Sequence, residues 1–471
     1  MNRHRVRSPE RRSVAALALA CAFTVLAGCG GGDGGGGGNG GGGGNGGDAA
    51  CSETARKQWV LDVARDWYLF PETLPASVNL ATYATAEELL DALTANARAE
   101  GKDRFFSYLT TRAAENSLFG EGEFVGFGFR NRIESPGRPF ILDVYEGSPA
   151  ADAGLRRGDE VLAVDGVALA DASQGFSELL GPAQAGVRRT LTIRRDGTTF
   201  DVTMEKRTVT LDPVPDAFGT EVFPLAGTAG VAYLHLRSYI STADAQLREA
   251  FAQFRAQGIE HYIVDVRYNG GGLVSTSALL GDLLGGNRSA ADEQFSIVHN
   301  PARSNQNSTR RFAPQPESVR PVQIAFLTTE ATASASEINA NMMWPYVTTA
   351  IVGSDTLGKP VGQLAFDLAG CQDRLRLVAF KTTNSLGNGE YYSGLASVMP
   401  YACAAEDTLD APLGTAADNL TQAALEWMRS GACPPMSGSA ATRFAPAEKA
   451  PPRYPLPEAP SPAERWLPGL Q

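Results

Sequence analysis

Between residues 209 and 433 short apolar runs alternate with helix-like segments, and this alternation restricts the chain more than any other feature. GVAYLHL precedes DAQLREAFAQF, whose Leu247, Ala250, Phe251 and Phe254 share one helical face. HYIVDVRYN, a glycine turn and LVSTSALLGDLL come next, then VQIAFLTT, SEINANMM, TTAIVGS, LRLVAFKTT and a last helix near NLTQAALEWM. Strand, helix, strand order needs crossover connections, so a layered α/β domain built of βαβ units is expected, with ligands at the C-terminal ends of its strands.

Two smaller regions precede it. Over 51–118, RKQWVLDVARDWYLF sets Trp59, Val60, Val63 and Trp67 on one face, and TAEELLDAL opens with Thr85 and Glu88 at capping-box spacing, which predicts a small helical domain. Over 119–208 the texture changes to short strands and glycine turns, FVGFGFR, PFILDVYEG, SPAADAGLRRGDEVLAVDG and RTLTIRRDGTTFDVTMEK, as expected of a compact, mostly-β module. The stretch 434–471 is rich in Pro and Ala (PPRYPLPEAPSP) and reads as extended or disordered.

The first 28 residues have the layout of an export signal: five arginines, then the apolar SVAALALACAFTVLAG, too short to span a membrane comfortably. LAGC at 26–29 resembles the bacterial lipobox, which would make Cys29 a lipid-bearing N-terminus. Residues 29–50 then form a Gly-rich tether, whose stretch 30–48 is almost all Gly, Asn and Asp and would span roughly 25 Å as a random coil. Gly30 after Cys29 is not an inner-membrane retention signal of the aspartate kind. The expected location is therefore the cell envelope, anchored to a membrane by lipid, with the outer membrane favoured. A formal net charge of -11 argues against nucleic acid as a partner.

Cys51, Cys371, Cys403 and Cys433 remain after the signal and lipid cysteines, an even set that suits two disulfides in an oxidising compartment. Cys371 and Cys403 flank a hairpin-like segment, and a Cys51–Cys433 bridge would join the ends of the folded region. That pairing is the expected one.

Three motifs carry candidate chemistry. Ser334 in TASASEIN stands three residues before Glu337, a spacing that suits a helix cap worth about 1 kcal/mol. A serine in the first turn of a helix also faces free N–H groups and the positive end of the dipole, so cap and nucleophile look alike until a base is found. Lys359 in LGKPVGQ could be that base if burial lowers its pKa from about 10.4 toward 7, which costs the charged form roughly 4 kcal/mol. Gln363 could orient the amine. Gly353, Gly358 and Lys359 match the start of a phosphate loop, but Pro360 supplies neither the hydroxyl nor the N–H that the pattern needs, so no nucleotide is expected. HExxH and GxSxG are absent, and neither metal nor other cofactor is expected. A triad using His235, His261 or His299 stays open.

TASASE, LGKPVGQ and an upstream DVRYNGGG, after a glycine-rich module, resemble the C-terminal processing, or tail-specific, serine peptidases. The resemblance covers roughly 51–433. It implies a crotonase/Clp-protease-like catalytic domain (209–433), Ser334 as nucleophile, Lys359 as general base, Gln363 as its orienter, and an oxyanion hole from the N–H groups of Ala335 and Gly271. It also implies that 119–208 is an inserted PDZ-like domain, in which Gly126, Phe127, Gly128 and Phe129 cradle the C-terminus of a polypeptide substrate and the next strand accepts it by β-augmentation. The alternative is a non-catalytic binder of peptides or apolar ligands on the same scaffold.

Overall fold

The computed structural model describes residues 49–134, 137–436, 454 and 460–471. The export signal, Cys29 and nearly all of the tether lie outside the described residues.

The alternating region forms a six-stranded sheet in the order Thr220–Phe223, Val231–His235, His261–Asp265, Gln323–Thr328, Thr348–Gly353, Tyr401–Ala404. The first pair is antiparallel and the others parallel. Its central strands are nearly continuous apolar runs because helices cover both faces. Leu247, Phe251, Leu280 and Met343, from helices Ala243–Ala256, Val274–Leu284 and Ala335–Met343, pack on one face. Leu420, Ala424 and Trp427 of Asn419–Ser430 close the other.

A second sheet runs Tyr108–Thr111, Asp373–Thr383, Glu293–His299, Ser308–Arg311, and Val361–Asp367 also pairs with Asp373–Thr383. Helices Glu53–Trp67 and Ala86–Ala99 pack on it, burying Val60, Leu61, Ala64, Leu89, Leu90 and Leu93 against Leu375, Leu377 and Val378. The buried stripe of the first helix is rotated from the expected face: Leu61 and Ala64 sit at its centre, and Trp59, Val63 and Trp67 are only half-buried.

The β-rich region folds as an antiparallel sheet, Phe129–Glu134, Arg138–Val144, Glu160–Val164, Arg188–Arg195, Thr198–Glu205, around Phe127, Phe129, Ile141, Leu191 and Ile193. The chain enters and leaves it through one antiparallel pair, Glu123–Gly126 with Arg207–Thr210. Buried arginines fix it to the α/β domain. Arg237 donates to Asp143 at 2.8 and 2.9 Å and to Glu146 at 2.6 Å, Arg157 donates to Asp407 at 2.9 Å, and Arg130 donates to the carbonyls of Tyr268 and Arg237.

Two expectations need correction. The disulfides are Cys51–Cys371 and Cys403–Cys433. Cys371 lies in the turn between strands Val361–Asp367 and Asp373–Thr383 of the second sheet, whereas Cys403 is on Tyr401–Ala404 of the first, so they are not neighbours. The end of the Pro/Ala-rich stretch is folded: Pro462–Trp466 is helical, and Ala463, Trp466, Leu467 and Leu470 are buried with Leu118, Phe119, Phe124, Tyr145 and Ile240. Average composition hid four well-spaced apolar side chains.

Candidate active site

Ser334 sits where the sheet strand Gln323–Thr328 gives way to the helix Ala335–Met343. The turn before it is tied to the neighbouring strand end, since Thr332 Oγ1 donates to Val266 O at 2.8 Å, and Ala333 N and Ser336 Oγ donate to Asn269 O at 3.0 and 2.9 Å. The backbone of Ser334 separates the two readings of this residue. Helix caps are normally extended, as Ser52, Thr85, Ser148 and Ser461 are, with φ between -125° and -64°. Ser334 has φ 55° and ψ -116°. A non-glycine residue in that region is strained and is held there by its surroundings, a pattern typical of functional sites.

Those surroundings are a single carboxylate. Glu337 accepts Ser334 N–H and Lys359 N–H on Oε2, both at 2.8 Å, and Gly358 N–H (2.8 Å) and Thr356 Oγ1 (2.6 Å) on Oε1. Burial pushes its pKa up from the ordinary range, and the four donors oppose that. The carboxylate therefore fixes the serine turn against the lysine turn. The parallel pairing of Gln323–Thr328 with Thr348–Gly353 delivers both turns to the same edge of the sheet. Glu337 was legible only as half of a capping box; a four-donor role across twenty-two residues has no local signature.

Lys359 is 6 % exposed, and burial lowers its pKa to about 7, against the opposing pull of Asp103 and Glu337. Its Nζ donates to Gln363 Oε1 at 3.2 Å, and Gln363 Nε2 donates to Phe106 O at 2.7 Å, so the amide is oriented with its oxygen toward the amine. The rings of Trp466 and Phe106 lie 4.4 and 4.8 Å from Nζ. Arg104 donates to the carbonyls of Leu357 and Gly358, bracing the turn. None of the described hydrogen bonds joins Nζ to the Ser334 hydroxyl; such bonds often tighten only when substrate is present.

Gly271 adjoins the serine. A methyl group there would lie 2.8 Å from Ser334 Cβ, and φ is 106°, so only glycine fits. Its N–H, expected to serve an oxyanion, is donated to Asn269 Oδ1 at 2.9 Å and is thus engaged in this arrangement. The N–H of Ala335, in the first turn of its helix, has no intrahelical acceptor. The histidines are placed elsewhere: His235 lies 3.5 Å from Asp265, His261 pairs with Gln323, and His299 with Ala379 O.

In the β-rich domain the turn Gly126 to Phe129 faces a peptide, and the peptide is the chain's own. Gly128 N–H and Phe129 N–H donate to Gln471 O at 2.9 and 3.5 Å, Gln471 N–H donates to Phe129 O at 2.9 Å, and Asn131 N–H donates to Gly469 O at 2.8 Å. Leu470 thereby pairs antiparallel with Arg130. A methyl at Gly128 would collide with Ser148 at 2.2 Å, and its φ is 80°.

Residues 230–392 match peptidase family S41, 140–195 match the PDZ domain, and 55–108 match the peptidase S41 N-terminal domain. A carboxyl-terminal-processing protease of Synechocystis sp. is 27% identical over 315 residues, 65% of this chain and 68% of that protein. A chloroplastic C-terminal processing peptidase of Tetradesmus obliquus is 30% identical over 244 residues, 49% of each chain. A solved structure assigned as an S41 protease, from Bacteroides fragilis NCTC 9343, superposes with a TM-score of 0.62 at 24% identity, covering 79% of this chain and 96% of the other.

Proposed function

The chain belongs to peptidase family S41 and carries a PDZ domain, and from that premise we propose that it is an envelope lipoprotein that hydrolyses polypeptides near their C-terminal ends by a Ser334/Lys359 dyad. The observation that carries the dyad is one carboxylate, Glu337, holding both the strained serine and the backbone of a buried lysine whose pKa lies at about 7.

At neutral pH a large fraction of such an amine is uncharged and has a lone pair to take the Ser334 proton. The alkoxide formed attacks the substrate carbonyl. Negative charge on that oxygen is stabilised by the N–H of Ala335 and the positive end of its helix. The ammonium of Lys359 then returns its proton to the leaving amine, an acyl-enzyme remains on Ser334, and water activated by the same amine releases it. Gln363 keeps Nζ aimed throughout. The Gly126 to Phe129 turn and the strand Phe129–Glu134 hold the substrate end, and a lipid on Cys29 holds the enzyme at the outer membrane.

Purified protein and its Ser334→Ala and Lys359→Ala variants, assayed on an unfolded polypeptide by mass spectrometry of the products, test this reading. Both variants are expected to fold and to cleave nothing. Cleavage that survives Lys359→Ala removes the dyad. Metabolic labelling with a fatty acid, compared with Cys29→Ala, tests the anchor.

A further inference from the structure

The segment Ser461 to Gln471 connects the two halves of the site. Its last residues add to the PDZ strand, with Leu470 3 % and Gln471 7 % exposed. Five residues earlier, Trp466 covers the catalytic amine: its ring is 4.4 Å from Lys359 Nζ, its indole N–H donates to Tyr108 O–H at 2.8 Å, and it packs edge-on against Phe119. Between them the backbone crosses the glycine turn. A methyl at Gly270 would meet Trp466 O at 2.5 Å and Pro468 Cδ at 3.0 Å, and the next glycine touches Ser334. One peptide thus runs from the end-binding turn to the lysine, along the course a substrate would take.

Its local conformation differs from that of a cleavable chain. Leu467 N–H, the nitrogen of the Trp466–Leu467 bond, is donated to Ala463 O at 2.8 Å in the turn that ends the helix. The following bond is to Pro468. The two bonds nearest the site are therefore held in a folded turn and not offered as extended chain.

We propose that residues 461–471 are a built-in competitor: they occupy the PDZ groove and the approach to Ser334 and Lys359, and keep other polypeptide ends out until displaced. The inference rests on the peptidase reading for its consequence, not for the occupancy itself. It also indicates the ligand chemistry of this track, a peptide end with aliphatic side chains at the positions of Leu467 and Leu470 and an aromatic one at Trp466. Tethering gives the segment an effective concentration on the order of millimolar, so a segment whose own dissociation constant for the groove is about 3 to 100 μM weakens the binding of a free end by roughly several hundredfold to tenfold.

The test uses the Ser334→Ala protein, so that nothing is consumed, in three forms: the full chain, the chain lacking 461–471, and the full-length Leu470→Asp variant, which puts a charge into the groove and guards against a truncation that fails to fold. A fluorescein-labelled peptide SPAERWLPGLQ is the probe. Binding at least tenfold tighter to the folded truncated or Leu470→Asp chain than to the full chain is expected, with loss of binding when the same leucine of the probe is aspartate. Equal binding to all three forms, or no binding to any folded opened form, overturns the proposal. So does mass spectrometry showing that the Ser334-containing chain removes 461–471 from itself. With Ser334 restored, opening the groove is expected to raise cleavage of an unfolded polypeptide about tenfold, and added probe to suppress it. Tight binding without cleavage in any form would sink the peptidase reading and leave the occupancy standing.

Discussion

The amine of Lys359 is the most informative single group, because its chemistry and its stability cost have the same cause. Burial holds its pKa at about 7 against 10.5 for the free side chain. Activity that needs the neutral form should rise with pH along a curve with a midpoint near 7, read from kcat/KM between pH 5 and 9. Stability moves in the same direction: between pH 7 and about 10.5 the unfolded chain binds a proton that the folded chain releases, so this group's contribution becomes more favourable as pH rises through that window. Lys359→Met should therefore abolish cleavage yet stabilise the fold by roughly 1 kcal/mol or more at pH 7, with the gain shrinking toward pH 10. A melting temperature that falls at pH 7 would contradict this. Glu337→Gln puts an amide where four donors converge. Misplaced turns should lower kcat on the order of 10²-fold with KM little changed.

Among the elements, the disulfides close loops of very different length, 320 residues for Cys51–Cys371 and 30 for Cys403–Cys433. In the chain-entropy picture these restrict the unfolded chain by about 6 and about 4 kcal/mol. Cys51→Ser/Cys371→Ser should therefore lower the denaturant midpoint more than Cys403→Ser/Cys433→Ser, and the reverse order would contradict the picture. The four cysteines could be read as two bridges, but their partners could not, because proximity in sequence says nothing about which of two sheets a strand joins. Alternation of apolar runs was legible for a physical reason: the inner strands of the central sheet, such as Val231–His235 and Gln323–Thr328, are buried on both faces, and helix Ala243–Ala256 is buried on one. TASASE and LGKPVGQ located Ser334 and Lys359, which sit at turns with distinctive glycines and hydroxyls. Glu337 as a bridge, the Asn269 side chain that engages Gly271 N–H, and the folded end at 461–471 were not legible, since each depends on a contact across many residues.

At the scale of the whole molecule, the proposed peptide track requires the PDZ domain to keep a fixed distance from the serine, and buried arginines join the two domains. Arg237 is 2 % exposed, and its partner Asp143 would be pushed up by burial but is held below the usual carboxylate range by the guanidinium. Arg237 lies two residues beyond strand Val231–His235 of the six-stranded sheet and Asp143 on strand Arg138–Val144 of the PDZ domain, so the pair spans the two domains. Arg237→Ala leaves Asp143 buried without its charge partner, expected to cost about 3–5 kcal/mol, read by urea denaturation. Its functional signature is more specific. A short chromogenic peptide that reaches only Ser334 and Lys359 should keep its KM, whereas a polypeptide that must also fill the groove beside Arg130 should show a KM raised about tenfold, because the two ends of its binding track no longer stay in register. Equal losses on both substrates would mean that the arginine supports the fold alone, and that the PDZ domain can shift without affecting what reaches the serine.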